Sequence, residues 1–142
     1  MPTSDSEIRI GCYSAFWGDS PQAAFQMVQQ PSPPLHYLVA DYLAEVTMGL
    51  LARRSRMAKQ GKVAKPGYIE EIIPLVIAPL LGSLQENGTK LIINAGGLDP
   101  LGLKEAIEKE IKKQGLDEGD NPHKAAAVWG DDLYPEWEKL VS

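Results

Sequence analysis

The chain has 142 residues, which fits one domain with a sizeable core, and its formal net charge of -5 argues against nucleic acid as a partner. The single cysteine, Cys12, and the polar, acidic amino-terminal segment do not suggest secretion. Pro74, Pro79 and Gly82 break the longest apolar stretches, and none approaches the roughly 20 residues of a bilayer span. We therefore expect a cytoplasmic protein that does not enter a membrane.

Four short, apolar runs predict β-strands, and helical segments separate them along the chain. The runs are Glu7–Cys12, Leu35–Ala40, Thr89–Asn94 and Lys124–Trp129. Apolar strands joined through helices are typical of a parallel sheet that is covered on both faces. The predicted fold class is α/β: a doubly wound, Rossmann- or flavodoxin-like sheet of about four strands with helices on both faces. Since the strands are few, we expect residues 1–142 to form a single domain that is an incomplete portion of a larger one.

The first two helices are predicted between the first three strands. Ser20 can cap helix one and Pro21 suits its first turn, with an end near Gln30. Helix two is predicted from Tyr42 to Lys59. One stripe of this helix, which we expect to pack on the sheet, contains Leu43, Val46, Leu50 and Met57.

The later helices differ in how clearly the sequence marks them. Apolar spacing from Tyr68 to Glu86 predicts a helix, but two prolines would interrupt its hydrogen bonds, so we expect two pieces or one kinked helix. The next helix, Pro100–Gln114, has Asp99 as a cap and Gly115 at its end. A short helix over Tyr134–Ser142 closes the chain.

The candidate site lies beyond the carboxyl ends of the strands, where ligands bind in open parallel sheets. Every strand-end loop carries a carboxylate: Asp19, Asp41, Asp99, and the adjacent pair Asp131 and Asp132. Capping of a helix is enough to explain any one of the first three. Two adjacent carboxylates exceed what one cap requires, which favours a function for Asp131 and Asp132.

The candidate catalytic residues are Asp41, Glu45, Asp131 and Asp132. Asp41 and Glu45 are four residues apart at a predicted helix start, so both can project from one side of its first turn. Oxygen ligands of this kind can bind Mg²⁺, and a clustered carboxyl group with a raised pKa can instead transfer protons. The sequence leaves the choice open.

The candidate ligand-binding residues lie in the loops after the first and third strands: Gly18, Asp19, Ser20, Asn94, Gly96 and Gly97. Gly96 and Gly97 would let the backbone approach a phosphate or carboxylate, although a tight turn also explains them. Phe16 and Trp17 either form an apolar wall or bury the loop against the core.

A basic cluster follows in the second helix and the loop after it: Arg53, Arg54, Arg56, Lys59, Lys62 and Lys65. Such a cluster is either a solvated helix end, favoured by the helix dipole, or a docking patch for an anionic partner.

As a set, these loops resemble the N-terminal region of the acyclic terpene utilisation protein A family. The shared motifs are PheTrpGlyAspSerPro at 16–21, AspTyrLeuAlaGluValThrMet at 41–48, AsnAlaGlyGly at 94–97 and GlyAspAspLeu at 130–133. The resemblance covers nearly the entire chain. It implies a role in the breakdown of acyclic terpenes such as citronellol and geraniol through acyl-CoA intermediates, with a small-molecule or CoA-linked substrate and an unassigned reaction.

Two departures from the family qualify this expectation. Members are usually much longer, so the chain resembles an amino-terminal portion, and Asp99 stands where Asn is expected before Pro100. Whether the chain is an enzyme stays open. The alternatives are a truncated fragment, or a non-catalytic binding or scaffold domain that completes its sheet with another chain, either a second copy or a C-terminal partner.

Overall fold

Three short strands form a parallel sheet in the computed structural model, which describes residues 7–61, 65–118 and 125. The strands are β1 (Ile10–Ser14), β2 (Tyr37–Ala40) and β3 (Lys90–Ile93), in the order β1-β2-β3. Four α-helices and a π-helix are interspersed: α1 (Gln22–Gln29), α2 (Glu45–Lys59), the π-helix (Ile73–Ile77), α3 (Ala78–Asn87) and α4 (Pro100–Lys113). The predicted α/β class with a parallel sheet is confirmed, and the arrangement is that of a partial Rossmann-like domain. The predicted fourth strand and the last helix lie outside the described residues.

Burial alternates along the strands, as expected for side chains that point to opposite faces of a sheet. Tyr13, Leu38 and Ala40 are buried beneath helices, whereas Ile10 and Ile92 are exposed on the other face. Strands in sequential order with right-handed crossovers place their connecting helices on one face. Accordingly α3 packs against both α1 and α4. Within the described residues the helices cover only this face of the sheet, whereas helices were predicted on both faces.

The core lies between the covered face of the sheet and the helices. Its largest fully buried side chains are Leu38, Leu51, Ile69, Ile77, Leu80 and Val76. Most of these come from the Ile69–Leu84 region, which explains why that stretch is so strongly apolar. Burial of each such side chain stabilises the fold by about 1.5–3 kcal/mol.

The stretch predicted as a kinked helix is a π-helix that continues into α3. Pro74 lies in the first turn of the π-helix, where a missing N–H group leaves no hydrogen bond unmade. Pro79 lies at the junction with α3, where its missing N–H removes one bond from an otherwise continuous helix. Gly88 ends α3 with a φ of 67°, a left-handed conformation that suits glycine. The two prolines therefore divide the helix into segments without ending it.

Of the two predicted caps, the one at Asp99 is confirmed. Pro21 occupies the cap position of α1, and the Ser20 hydroxyl oxygen, one residue earlier, accepts the N–H of Gln22 at 3.3 Å. The Asp99 carboxylate accepts the N–H of Gly102 at 2.9 Å at the start of α4. Side-chain oxygens thus replace the backbone acceptors that the first turn of each helix lacks.

The predicted position of α2 is wrong in two respects. The helix begins at Glu45 rather than Tyr42, and the stripe that was expected to face the sheet is largely exposed at Val46, Leu50 and Met57. The buried residues are Thr47 and Leu51. The reason is that α2 does not lie on a face of the sheet. Leu51 packs against the turn that follows β3, so α2 lies beyond the carboxyl ends of the strands.

Candidate functional site

The ends of all three strands are joined by hydrogen bonds. The N–H of Asp41, directly after β2, donates to the carbonyl oxygen of Ser14 at the end of β1, at 3.0 Å. Asn94, directly after β3, accepts the N–H of Tyr42 at 2.7 Å and donates its amide N–H to Asp41 Oδ1, also at 2.7 Å. Asp41 and Asn94 are both exposed. The predicted convergence of Asp41 and Asn94 at one edge is therefore seen directly.

Asp41 also shapes the chain that follows it. Its Oδ1 accepts the N–H of Leu43 at 3.1 Å, a local bond of the kind that competes with helix formation. The helix consequently starts only at Glu45, after Ala44 in an extended conformation. Asp41 and Glu45 therefore do not share one helical turn, and the prediction that they project together from it was wrong.

Two tyrosine hydroxyl groups meet beneath this edge. Tyr13 and Tyr42 are buried, their hydroxyl oxygens are 2.6 Å apart, and their rings pack edge to face at 6.1 Å between centroids. Burial is the main cause that raises the pKa of both groups, and the negative charge of Asp19 raises that of Tyr42 further. Both hydroxyls therefore stay protonated at neutral pH. We call Tyr13, Asp19, Asp41, Tyr42 and Asn94 the strand-end rim.

Neither tyrosine was predicted as a site residue. Their contact joins positions 29 apart, which no local pattern reveals. One signal was present: each tyrosine lies within two residues of a strand end.

Asp19 closes the loop that follows β1. Its carboxylate oxygens accept the N–H groups of Ser20, at 2.8 Å, and Ala15, at 3.2 Å. Gly18 precedes it with a φ of 108°, a conformation that other residues rarely adopt. The loop geometry thus explains Gly18, Asp19 and Ser20 structurally, while the charge of Asp19 also acts on the rim through Tyr42.

The glycines of the turn after β3 are packed against the protein itself. A Cβ atom at Gly96 would meet Pro100 at 2.7 Å, and one at Gly97 would meet Leu51 and the carbonyl oxygen of Gly67. The N–H of Gly102, in the first turn of α4, is already bonded to Asp99. Gly96 and Gly97 therefore allow α2 and α4 to approach the turn closely.

The carboxylates of the described residues do not by themselves make a Mg²⁺ site. Within these residues no three acidic, histidine or cysteine side chains are grouped so that they could hold a metal ion. The Oδ1 atom of Asp41 already accepts two hydrogen bonds, one from the side-chain amide of Asn94 and one from the backbone N–H of Leu43. Asp131 and Asp132 lie outside the described residues, so the predicted catalytic set is seen only at Asp41 and Glu45.

Apolar side chains flank the polar rim. Phe16, in the loop after β1, Leu98, near the end of the β3–α4 connection, and Leu101, in the first turn of α4, are all exposed. Trp17 is half-buried and packs on the core. Of the two interpretations of these aromatic residues, the buried one fits Trp17 and the exposed wall fits Phe16.

The basic cluster is divided by the structure. Arg54 turns inward, with its guanidinium 4.6 Å from the centre of the Trp17 ring and 3.3 Å from Glu71. Arg54 Nη1 and Glu71 Oε2 are buried without a hydrogen-bond partner. Lys65 pairs with Glu70 at 3.0 Å. Arg53, Arg56 and Lys59 are exposed on α2, and Lys62 lies outside the described residues.

A small open cleft lies away from the rim. It measures about 220 Å³ and is lined by Val28, Gln29, Ser83, Glu86 and Asn87, at the carboxyl ends of α1 and α3. These helix ends lead to the starts of β2 and β3, so the cleft is at the opposite edge of the sheet.

No helix among the described residues is long and apolar enough to cross a membrane.

Comparison with known proteins gives one match. The model of the acyclic terpene utilisation family protein AtuA matches residues 8–142. No curated protein and no solved structure matches the chain. The family match includes every residue of the strand-end rim.

Proposed function

The chain belongs to the acyclic terpene utilisation family of AtuA, and from this premise we propose that its strand-end rim binds an acyclic terpenoid. The ligand class is a branched apolar chain of the citronellol or geraniol type with a polar head, as the free alcohol or as a CoA-linked acid. This class agrees with the family description, which names acyclic terpene utilisation. The wider role that we propose is in a breakdown route that runs through acyl-CoA intermediates.

The observation that carries the proposal is the fixed geometry of Asp41. Asn94 holds its carboxylate at 2.7 Å, and the backbone of Tyr42 holds Asn94 in turn. An exposed carboxylate that is oriented in advance loses little entropy when it accepts a hydrogen bond from a ligand. A hydroxyl group on the head of the ligand is the matching donor.

The apolar surroundings support the rest of the ligand class. Phe16 and Leu98, from loops, and Leu101, from the first turn of α4, expose apolar surface at the same edge of the sheet. Burial of such surface against a hydrocarbon chain is favourable by about 25 cal/mol per Å². The carboxylate would then select the head, while the apolar residues would hold the chain.

In a reaction, Asp41 would act as the acceptor of a proton from the ligand. Asn94 is its positioning residue, because the amide fixes the orientation of the carboxylate. Asp131, Asp132 and Glu45 complete the proposed catalytic set, and Gly18, Asp19, Ser20, Gly96 and Gly97 shape the loops that surround it.

The test is ligand binding by an Asp41→Asn variant. Isothermal titration with geraniol should show at least about tenfold weaker binding to the variant than to the unchanged chain, since a hydrogen bond to a charged group contributes about 1.5–3 kcal/mol. The CoA-linked acid is titrated separately, and its affinity should not fall, because its thioester head has no hydroxyl group to donate. Asn94→Ala should weaken geraniol binding in the same direction. Asp117→Asn is the matched control, because Asp117 is an exposed acid outside the rim.

Equal affinity of the Asp41→Asn variant and the unchanged chain for geraniol would overturn the proposal. Asp131→Asn and Asp132→Asn extend the test to the remainder of the catalytic set. Binding of only one of the two ligands would identify the head group.

A second candidate function is that of a non-catalytic binding or scaffold domain. The uncovered face of the sheet favours it, because Ile8, Ile10 and Ile92 are 69%, 63% and 53% exposed there. Apolar surface of this kind is a common mark of interaction sites. This candidate would become the preferred one if neither terpenoid bound to the unchanged chain.

A further inference from the structure

The outward side of α2 carries an apolar stripe. Val46, Leu50 and Met57 are 74%, 45% and 39% exposed, and Arg53 continues the same line between them. Their spacing of four, three and four residues places all four side chains on one side of the helix. The inward side is a different one, formed by Thr47 and Leu51. Within the described residues, nothing covers this outer stripe.

Charge is distributed unevenly along the helix. Glu45 and the preceding Asp41 are at its amino end, whereas Arg53, Arg56 and Lys59 are on its carboxyl half. Glu45, Arg56 and Lys59 are exposed and flank the outer stripe on the same side. The helix is therefore acidic at one end and basic at the other, along an apolar seam.

We propose that the outer stripe is an interface with a second copy of this chain, in which the two α2 helices pair antiparallel about a two-fold axis. Reversal of the direction of one helix sets the acidic end of each against the basic end of the other. A parallel pair would instead place like charges together. An anionic partner or membrane would contact the basic half but leave the acidic end unpaired.

The spacing of the stripe is symmetric, as a two-fold axis requires. With the axis at the level between Leu51 and Ala52, Val46 of one copy is level with Met57 of the second copy, and Leu50 is level with Arg53. Glu45 is then within a turn of Arg56 and Lys59 of the second copy. Gly49 faces open space on this side, which permits close approach of the helices.

The pairing also places cations next to the rim. Glu45 is only four residues beyond Asp41, at the start of α2. The basic end of the second copy would therefore lie beside the proposed catalytic set, and each copy would add Arg56 and Lys59 to the surroundings of the other's site. This inference stands on the outer stripe alone and does not require terpenoid binding.

The experiment is sedimentation equilibrium of the full chain over a range of protein concentrations. The unchanged chain should form a reversible dimer. Leu50→Lys should weaken dimerisation at least about tenfold, since it introduces a cation into the apolar seam, level with Arg53 of the second copy. Glu45→Lys alone should also weaken it, because lysine would then face two cations. The triple variant Glu45→Lys, Arg56→Glu, Lys59→Glu should restore it, because both ends of the helix reverse their charge.

Lys109→Glu on the exposed side of α4 is the matched control and should leave the dimer unchanged. Circular dichroism of each variant establishes that it remains folded. A monomer at every concentration would overturn the proposal. So would a dimer that is indifferent to Leu50→Lys, or a triple variant that associates no better than Glu45→Lys.

Discussion

At the scale of single residues, the rim combines groups that local sequence marks with groups that it does not. Asp41 and Asn94 were selected because each lies at the carboxyl end of an apolar strand. Ser20 and Asp99 were identified as caps because a side-chain oxygen before a helix has a defined acceptor role. Tyr13 and Tyr42 were missed because their hydroxyls meet only after two strands have paired.

The tyrosine pair predicts how stability depends on pH. Burial raises the pKa of both hydroxyls above the ordinary value of 10.0, so above that pH the unfolded chain releases protons that the folded chain retains. The free energy of unfolding should therefore be unaffected by this pair below pH 10 and fall as the pH rises beyond it. The slope is about 1.4 kcal/mol per pH unit for each proton involved.

Denaturant unfolding of a Tyr13→Phe, Tyr42→Phe double variant at several pH values checks this prediction. The variant should lose no more than about 1 kcal/mol at neutral pH, because both partners of the hydrogen bond are removed together and the rings remain, and it should show a shallower decline above pH 10. An equally steep decline in the two proteins would mean that the hydroxyls do not ionise on unfolding as the structure implies.

At the scale of elements, the helices show what periodicity does and does not determine. In α4 the predicted stripe faces inward at Leu103 and Ile111. In α2 two sides of the helix carry apolar residues. The more apolar side, with Val46, Leu50 and Met57, was predicted to face inward, whereas the structure buries Leu51 on the other side. Periodicity locates the helix but does not choose a side, because the choice depends on which neighbour the helix meets. That neighbour is the turn after β3.

Docking of α2 against this turn should depend on Gly97. Its φ is 55°, and a Cβ there would meet Leu51 and lie 3.0 Å from the carbonyl oxygen of Gly67. Gly97→Ala should therefore lower the free energy of unfolding by about 1–3 kcal/mol. Thermal denaturation followed by circular dichroism measures the change.

Gly82→Ala is the control for this substitution. Gly82 is exposed within α3 and has open space around its Cβ position, so alanine there should stabilise the helix by about 0.5–1 kcal/mol. Opposite signs for the two variants are expected. A neutral Gly97→Ala would show that α2 does not pack closely on the turn.

At the scale of the whole molecule, the α/β class was predictable because apolar strands alternate with helical segments along the chain. Which strands lie next to each other in the sheet was not predictable, since local periodicity carries no information on strand pairing. The exposed face at Ile10 and Ile92 was unexpected for the same reason. Apolar residues on alternate strand positions predict burial, but the element that buries them lies elsewhere in the sequence.

The two faces of the sheet should respond differently to substitution. Leu38 in β2 is fully buried on the covered face, whereas Ile92 in β3 is 53% exposed on the other face. Leu38→Ala should lower the free energy of unfolding by about 2–5 kcal/mol, because it leaves a cavity in the core, whereas Ile92→Thr should change it by no more than about 1 kcal/mol. Denaturant unfolding of the two variants measures the difference. A loss at Ile92 as large as that at Leu38 would mean that another part of the chain buries this face.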